Sequence, residues 1–227
     1  MKSIKKTLVL LTALVLCAAA QSHAANLITN GNFEDPDLGP GFAFQGIGAG
    51  STALTGYTVG GGGVELFGVG VFNSDPLPGG GGQKVQLQGG GGSQPPSTQG
   101  SLTQAITLEL GSIYTVSFDY IKRPGTDFGN GTVTFNDQTF SFVGTDTWQN
   151  FTFTSTPAPT TSGTISFIGV NPITGVDGSG NNVFGNNAAI IDNVSVNAVP
   201  EPGTVASIMA GGVALLGLSR FRKNAAV

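Results

Sequence analysis

Beyond residue 25, the side chains able to do chemistry are carboxylates, hydroxyls and amides. The single Cys and the single His, Cys17 and His23, both fall within the first 25 residues. Those residues read as a segment lost on export. Without them a Ser-His-Asp triad, a thiolate nucleophile, a disulfide framework and a His/Cys zinc site are all excluded. Between residues 25 and 199 there are twelve acids and only three bases, Lys84, Lys122 and Arg123, a net charge of −9. Two chemistries remain open to such a set. Glycoside hydrolysis needs two carboxyl groups about 5–5.5 Å or about 6.5–9.5 Å apart; Glu65 and Glu109 are candidate acids, but no motif pairs them. Oxygen ligation of a hard cation such as Ca2+ needs carboxylates and carbonyls, which the chain has in supply. The acidic balance and the lack of a basic patch exclude nucleic acid as a partner.

The elements that must position these groups lie between two ends of a different kind. Residues 1–25 begin with Lys2, Lys5 and Lys6, continue as the apolar run Leu8–Ala20, and finish in small residues around Ser22-His23-Ala24. This is the pattern of a signal peptide, helical in its apolar part and too short to span a bilayer. At the other end, Val199-Pro200-Glu201-Pro202 precedes the uncharged stretch Gly203–Ser219, followed by Arg220, Arg222 and Lys223 in the tail 220–227. A helix over 203–219 spans about 26 Å, the lower limit for crossing a membrane, and the basic cluster would hold its end on the cytoplasmic side.

Residues 26–198 read as one all-β domain. Glycine is 37 of the 227 residues and only 10% are charged, against a usual ~7% and ~25%, and such a composition disfavours helix. Apolar and polar residues alternate over 113–120, 132–135, 139–143, 148–153 and 164–168, and 188–196 reads as a final strand. Turn residues separate them: Pro124-Gly125, Asn130-Gly131, Asn136-Asp137 and Gly144. Many short, closely spaced strands indicate an antiparallel sandwich or barrel. The glycine runs Gly60–Gly63, Gly79–Gly82 and Gly89–Gly92 lack the Lys-Ser/Thr of a phosphate loop and are expected to be flexible loops between strands.

The three-part tail resembles the PEP-CTERM sorting signal of Gram-negative bacteria. The resemblance rests on Val199, Pro200, Glu201 and Pro202, on the apolar span 203–219, and on the basic anchor Arg220, Arg222 and Lys223. It implies export through the inner membrane, transient membrane anchoring, and processing near the Pro-Glu-Pro by an exosortase. Release to the cell surface or extracellular matrix would follow, in association with exopolysaccharide. Pro202 would keep the motif extended beside the membrane.

A second resemblance covers the domain. It rests on Asn26-Leu27-Ile28-Thr29-Asn30-Gly31-Asn32-Phe33-Glu34, Lys84–Gly89, Gly100–Gln104 leading into Gly111–Asp119, and Ile191–Val196. In this order they resemble the galactose-binding-like jelly rolls, including carbohydrate-binding modules and choice-of-anchor exported domains. The resemblance implies an antiparallel jelly-roll β-sandwich with its first and last strands close together, non-catalytic and binding carbohydrate. It also implies a structural Ca2+ held by Glu34 and Asp192. Trp148 and Tyr57 are candidate sugar-stacking rings, with Phe67 and Phe72 of similar standing to Tyr57; burial habit favours a place for Trp148 at the edge of the core instead. Alternation sets Trp148 on one face with Asn150 and Thr152, opposite Phe151 and Phe153. A structural or adhesive matrix component without a small ligand, and a two-carboxylate glycoside hydrolase, are the alternative readings.

Overall fold

The run Tyr114-Thr115-Val116-Ser117-Phe118 sends every second side chain inward, and the same alternation recurs down the second half of the chain. In the computed structural model these segments are strands. Residues 25–39, 43–71, 82–88, 99–125, 129–170 and 189–200 are described in full, and 173–176 and 182–184 as backbone. The strands are β1 Phe44–Ile47, β2 Thr58–Gly61, β3 Val64–Phe67, β4 Lys84–Gln86, β5 Gly100–Thr107, β6 Tyr114–Ile121, β7 Asn130–Phe135, β8 Gln138–Val143, β9 Gln149–Thr154, β10 Ser162–Val170, β11 Ile173–Val176, β12 Asn182–Phe184 and β13 Ile190–Ala198. No helix occurs among the described residues.

Two antiparallel sheets result. One has the order β1-β3-β4-β13-β6-β9 and the other β2-β5-β10-β7-β8, while β11 and β12 pair with each other. The chain passes between the two large sheets at β1 to β2, β2 to β3, β4 to β5, β5 to β6, β6 to β7, β8 to β9 and β9 to β10, which is the winding of a jelly roll. The expected all-β antiparallel sandwich is therefore the fold, and Asn26–Asn197 forms one compact unit.

The core lies between the inner faces. Leu66, Val85, Leu87, Val116, Phe118, Ile191 and Val196 of the first sheet are buried, as are Leu102, Val133, Phe135, Ile165 and Phe167 of the second. Phe118 joins the two layers. Its ring packs edge-on at 5.0 Å against both Phe142 and Phe167 of the opposite sheet and stacks at 5.3 Å on Phe151 of its own. Aromatic pairs of this geometry add to area burial, which alone stabilises by about 1.5–3 kcal/mol for a fully buried ring.

The opening segment runs beside the last strand. Leu27 N–H donates to the Val196 carbonyl at 2.9 Å, and Val194 N–H donates to the Gly31 carbonyl at 2.8 Å. The Asn26 side chain accepts from Val196 N–H at 2.9 Å and donates to the Val194 carbonyl at 3.2 Å. Gln104, buried in β5, holds the same segment by accepting from Thr29 N–H and donating to the Thr29 carbonyl. The two ends of the domain thus lie together.

The first glycine run departs from expectation. Gly60 and Gly61 are strand residues in β2, facing Ser101 and Gly100 of β5, rather than a flexible loop. A Cβ at Gly61 would collide with the Gln99 carbonyl oxygen, and its φ of +59° is in the left-handed region. Glycine here permits two backbones to approach before the chain turns into β3. Gly79–Gly81 and Gly89–Gly92 lie outside the described residues, as do Phe72, residues 1–24 and residues 201–227. Val199 and Pro200 are the last described residues, and both are exposed. Among the described residues no helix is long and apolar enough to cross a membrane.

Candidate ligand-binding face

Residues at matching register positions share one side of a sheet. In the six-stranded sheet, Phe44 pairs with Phe67 and Phe67 with Lys84; Glu65 pairs with Gln86 and Gln86 with Ile190. Phe67, Ile121 and Ile190 form an apolar cluster on that side, and Val71 and Trp148 pack over it. Phe118, two residues from Tyr120 and in alternation with Asp119 and Ile121, fills the opposite, inner side. The outer face of this sheet therefore carries an apolar floor with a partly exposed Trp148 on it.

Polar groups surround the floor. Arg123 lies 5.8 Å above the Phe67 ring centroid. Its Nη1 reaches Glu65 Oε2 at 3.6 Å and donates to Gln86 Oε1 at 3.3 Å, and Gln86 donates in turn to Gln88. Burial raises the Glu65 carboxyl above its ordinary range, and the Arg123 guanidinium opposes that rise. On the β6–β9 side, Asp119 accepts from Asn150 at 2.8 Å and from Asn193 at 2.9 Å. Asn150 and Thr152 also hydrogen-bond Ser117, extending the network over exposed strand. Planar amide, guanidinium and carboxylate groups beside an indole form a surface that can pair with hydroxyls while stacking on an apolar ring face.

The Glu34 and Asp192 positions meet near the start of β4. Asp192 is buried and accepts Asn193 N–H at 2.7 Å, which the left-handed Asn193 (φ 52°) allows. Glu34 accepts Gln83 N–H at 2.8 Å, and a Cβ at Gly82 would occupy the place of its carboxylate. Burial pushes the Asp192 carboxyl from 3.8 up to about 8; the Asn193 N–H opposes this, the charges of Glu34 and Asp119 add to it, and Lys84 also opposes it. Burial lowers the Lys84 ammonium, and Asp192 counters that. Asp192 and Glu34 are thus close enough to feel each other, and their oxygens suit a hard cation. Among the described residues no group of three or more His, Cys, Asp or Glu side chains is placed to hold a metal. An ion at Glu34 and Asp192 would need carbonyl oxygens to fill its shell.

The remaining candidates are dispersed. Tyr57 is 2% exposed and packs on Phe33 at 5.4 Å, so its ring presents no face to a ligand. Its hydroxyl has no hydrogen-bond partner, and burial, with Asp192 nearby, holds the phenol well above its ordinary range. Phe67 is the buried floor beneath Arg123. Glu65 is engaged with Arg123 on the outer face of one sheet, whereas Glu109 is an exposed residue just past β5 of the other. Arg123, Gln86 and Asp119 were not singled out as site residues by the sequence, because only strand register reveals that residues so far apart share a face; Asn150 lies on the Trp148 face, as alternation set it.

No family model and no curated protein sequence matches the chain. Solved structures similar to it include a family 61 carbohydrate-binding module in complex with β-1,4-galactotriose, at 15% identity and TM-score 0.45, with 78% of this chain and 100% of that one covered. A family 4 carbohydrate-binding module is 18% identical at TM-score 0.39, with 76% and 99% covered. A putative sugar binding protein from Bacteroides thetaiotaomicron is 11% identical at TM-score 0.42, with 77% and 100% covered.

The raised Asp192 carboxyl has a measurable consequence. A group whose folded pKa exceeds its unfolded value stabilises fully below the unfolded value, and that stability is lost as pH rises through the folded value. In the presence of a chelator, the melting midpoint should fall between pH about 6 and about 9, where ordinary carboxylates no longer titrate. Asp192→Asn should flatten that fall. A wild-type midpoint level across this window would contradict the assignment.

Proposed function

We propose that this protein is an exported, non-catalytic carbohydrate-binding protein whose ligand lies on the outer face of the six-stranded sheet. The observation that carries the reading is the pairing of Trp148, partly exposed on an apolar floor, with the Arg123–Glu65–Gln86 and Asp119–Asn150 groups beside it. A pyranose has apolar C–H faces and a hydroxyl rim. The indole offers a stacking plane, and the fixed amides, guanidinium and carboxylates offer hydroxyl partners. Among the described residues Glu65 is engaged with Arg123, and the other candidate acid, Glu109, lies just past β5 of the other sheet, which favours binding over hydrolysis.

Trp148 is the only tryptophan in the chain, so its fluorescence reports on this face alone. Titration with neutral soluble polysaccharides should shift Trp148 emission, and Arg123→Ala should weaken binding about tenfold or more, the scale of a lost charged hydrogen bond. Binding that survives both Trp148→Ala and Arg123→Ala would place the ligand elsewhere. No binding to any polysaccharide would favour a structural or adhesive matrix component.

Calcium at Glu34 and Asp192 belongs to the same reading. The support is an all-oxygen pair, one member of which is buried without full charge compensation. Millimolar Ca2+ should raise the melting midpoint by mass action, and Asp192→Ala should abolish the rise while Mg2+ fails to reproduce it. An unchanged midpoint on adding Ca2+ leaves Glu34 and Asp192 as a purely structural polar pair.

Export and sorting rest on the sequence of the ends. Residues 1–25 would direct export; residues 199–202, the apolar span and the basic tail would anchor the chain until an exosortase processes it. The domain would then act at the cell surface or in the matrix, beside exopolysaccharide. In cells lacking the exosortase the chain should accumulate as an uncleaved, membrane-held precursor. Normal processing there would refute the tail assignment.

A further inference from the structure

β8 and β9 are the edge strands of the two sheets, on the same side of the sandwich. Each is six residues long, and the two share a pattern: Gln138-Thr-Phe140-Ser-Phe142-Val143 and Gln149-Asn-Phe151-Thr-Phe153-Thr154. Neither contains a charge, a proline or a glycine. Among the described residues, the side of β8 away from β7 and the side of β9 away from β6 pair with no strand. Exposed sheet edges ordinarily carry lysine, proline or a bulge that blocks further pairing, and β7–β8 and β6–β9 run in unbroken register through all six residues. Between the edges lies an aromatic seam that the sandwich leaves unfinished. Phe140, Phe151 and Phe153 are only partly buried, with Phe140 packed 4.4 Å from Phe153 and 6.2 Å from Phe151.

We propose that this open side is the docking surface for a second copy of the same chain, each sheet continuing into its counterpart by antiparallel pairing of β9 with β9 and β8 with β8. Three features favour a self-partner. A two-fold axis normal to the layers pairs each edge with its own copy in antiparallel sense. One axis serves both layers because the middle of β8, at Phe140, lies over the middle of β9, between Phe151 and Phe153. Centred there, the pairing sets Phe151 against Phe153 and Phe140 against its own copy inside, and the hydroxyl and amide side chains of Thr139, Ser141, Asn150, Thr152 and Thr154 against one another outside, which are favourable cross-strand pairs. The third feature is charge. The domain carries −9, which would repel a copy, yet among the described residues the acids nearest the two edges are Asp137 in the β7–β8 turn, Asp146, which is paired with Lys122 at 2.8 Å, and the buried Asp119, whose oxygens are held by Asn150 and Asn193. The two edge strands themselves carry no charge. A six-residue edge about 20 Å long and two layers deep buries roughly 400 Å² per partner, about half of a standard interface, so the association is weak, reversible and concentration-dependent.

Sedimentation velocity of the purified chain from micromolar to millimolar concentration tests this directly. The wild type should pass from monomer to dimer, and the double variant Ser141→Lys/Thr152→Lys, carrying one lysine on each edge, should stay monomeric with an unchanged circular dichroism spectrum. In a Cys17→Ser background, Thr152→Cys should form disulfide-linked dimers on mild oxidation, at least tenfold more than Thr103→Cys on central strand β5. A wild type that is monomeric throughout, a dimer that persists in the lysine variant, or equal cross-linking at positions 152 and 103 would each overturn the proposal. The cross-linking comparison also decides the matter if the lysine pair disturbs folding.

Discussion

The packing of Phe118 between two sheets is the contact on which the rest of the molecule depends. A domain with no disulfide must resist unfolding by burial, and burial here means bringing two amphipathic sheets face to face. Phe118 meets Phe142 and Phe167 across the gap and Phe151 beside it. With the inner face of the sheet committed in this way, the alternation of β6 sends Asp119 and Ile121 outward. The outer face thus inherits its character from the core: the residues left over from packing are those that can meet a ligand.

That leftover face is unusual in being polar and buried together. Glu65, Lys84, Gln86, Asp119 and Asp192 are all below a tenth exposed, and groups of this kind cost free energy unless each is paired. For Glu65, Gln86 and Asp119 the structure supplies that pairing. Arg123 serves Glu65 and Gln86 while lying over Phe67, and the two asparagines hold both oxygens of Asp119. Side chains fixed by one another lose little freedom when a ligand arrives, so the face is preorganised. The open edge formed by β8 and β9 sits beside it, and edge-to-edge pairing would place two such faces on one continuous sheet. On the proposed function, two linked faces would bind a polymer with an avidity neither has alone.

The alternating runs of the second half of the chain were legible because period-two burial is written directly into residue order, and β6 through β10 and β13 form within a residue or two of where alternation puts them. The first half was not legible in this way. β1 to β4 are three or four residues long, too short for a period to register, and β2 ends in glycines that composition alone assigns to loops. Their strand character comes from partners: Gly60 and Gly61 are extended because Ser101 and Gly100 stand opposite them. Tyr57 illustrates the same limit. An aromatic in a glycine-rich stretch looks available, but the closeness of Phe33 makes it a core residue.

By itself, then, the order of residues determined that residues 26–198 carry no Cys or His, the all-β class and the strands long enough to show a period, because each of these depends on residue type or on neighbours in sequence. Tertiary structure alone decided which polar residues share a face, why Asp192 is driven toward its neutral form, and that Phe140, Phe151 and Phe153 line an unfinished edge. These are properties of strand register and of the distance between sheets, and they join residues dozens of positions apart through backbone hydrogen bonds that no local pattern records.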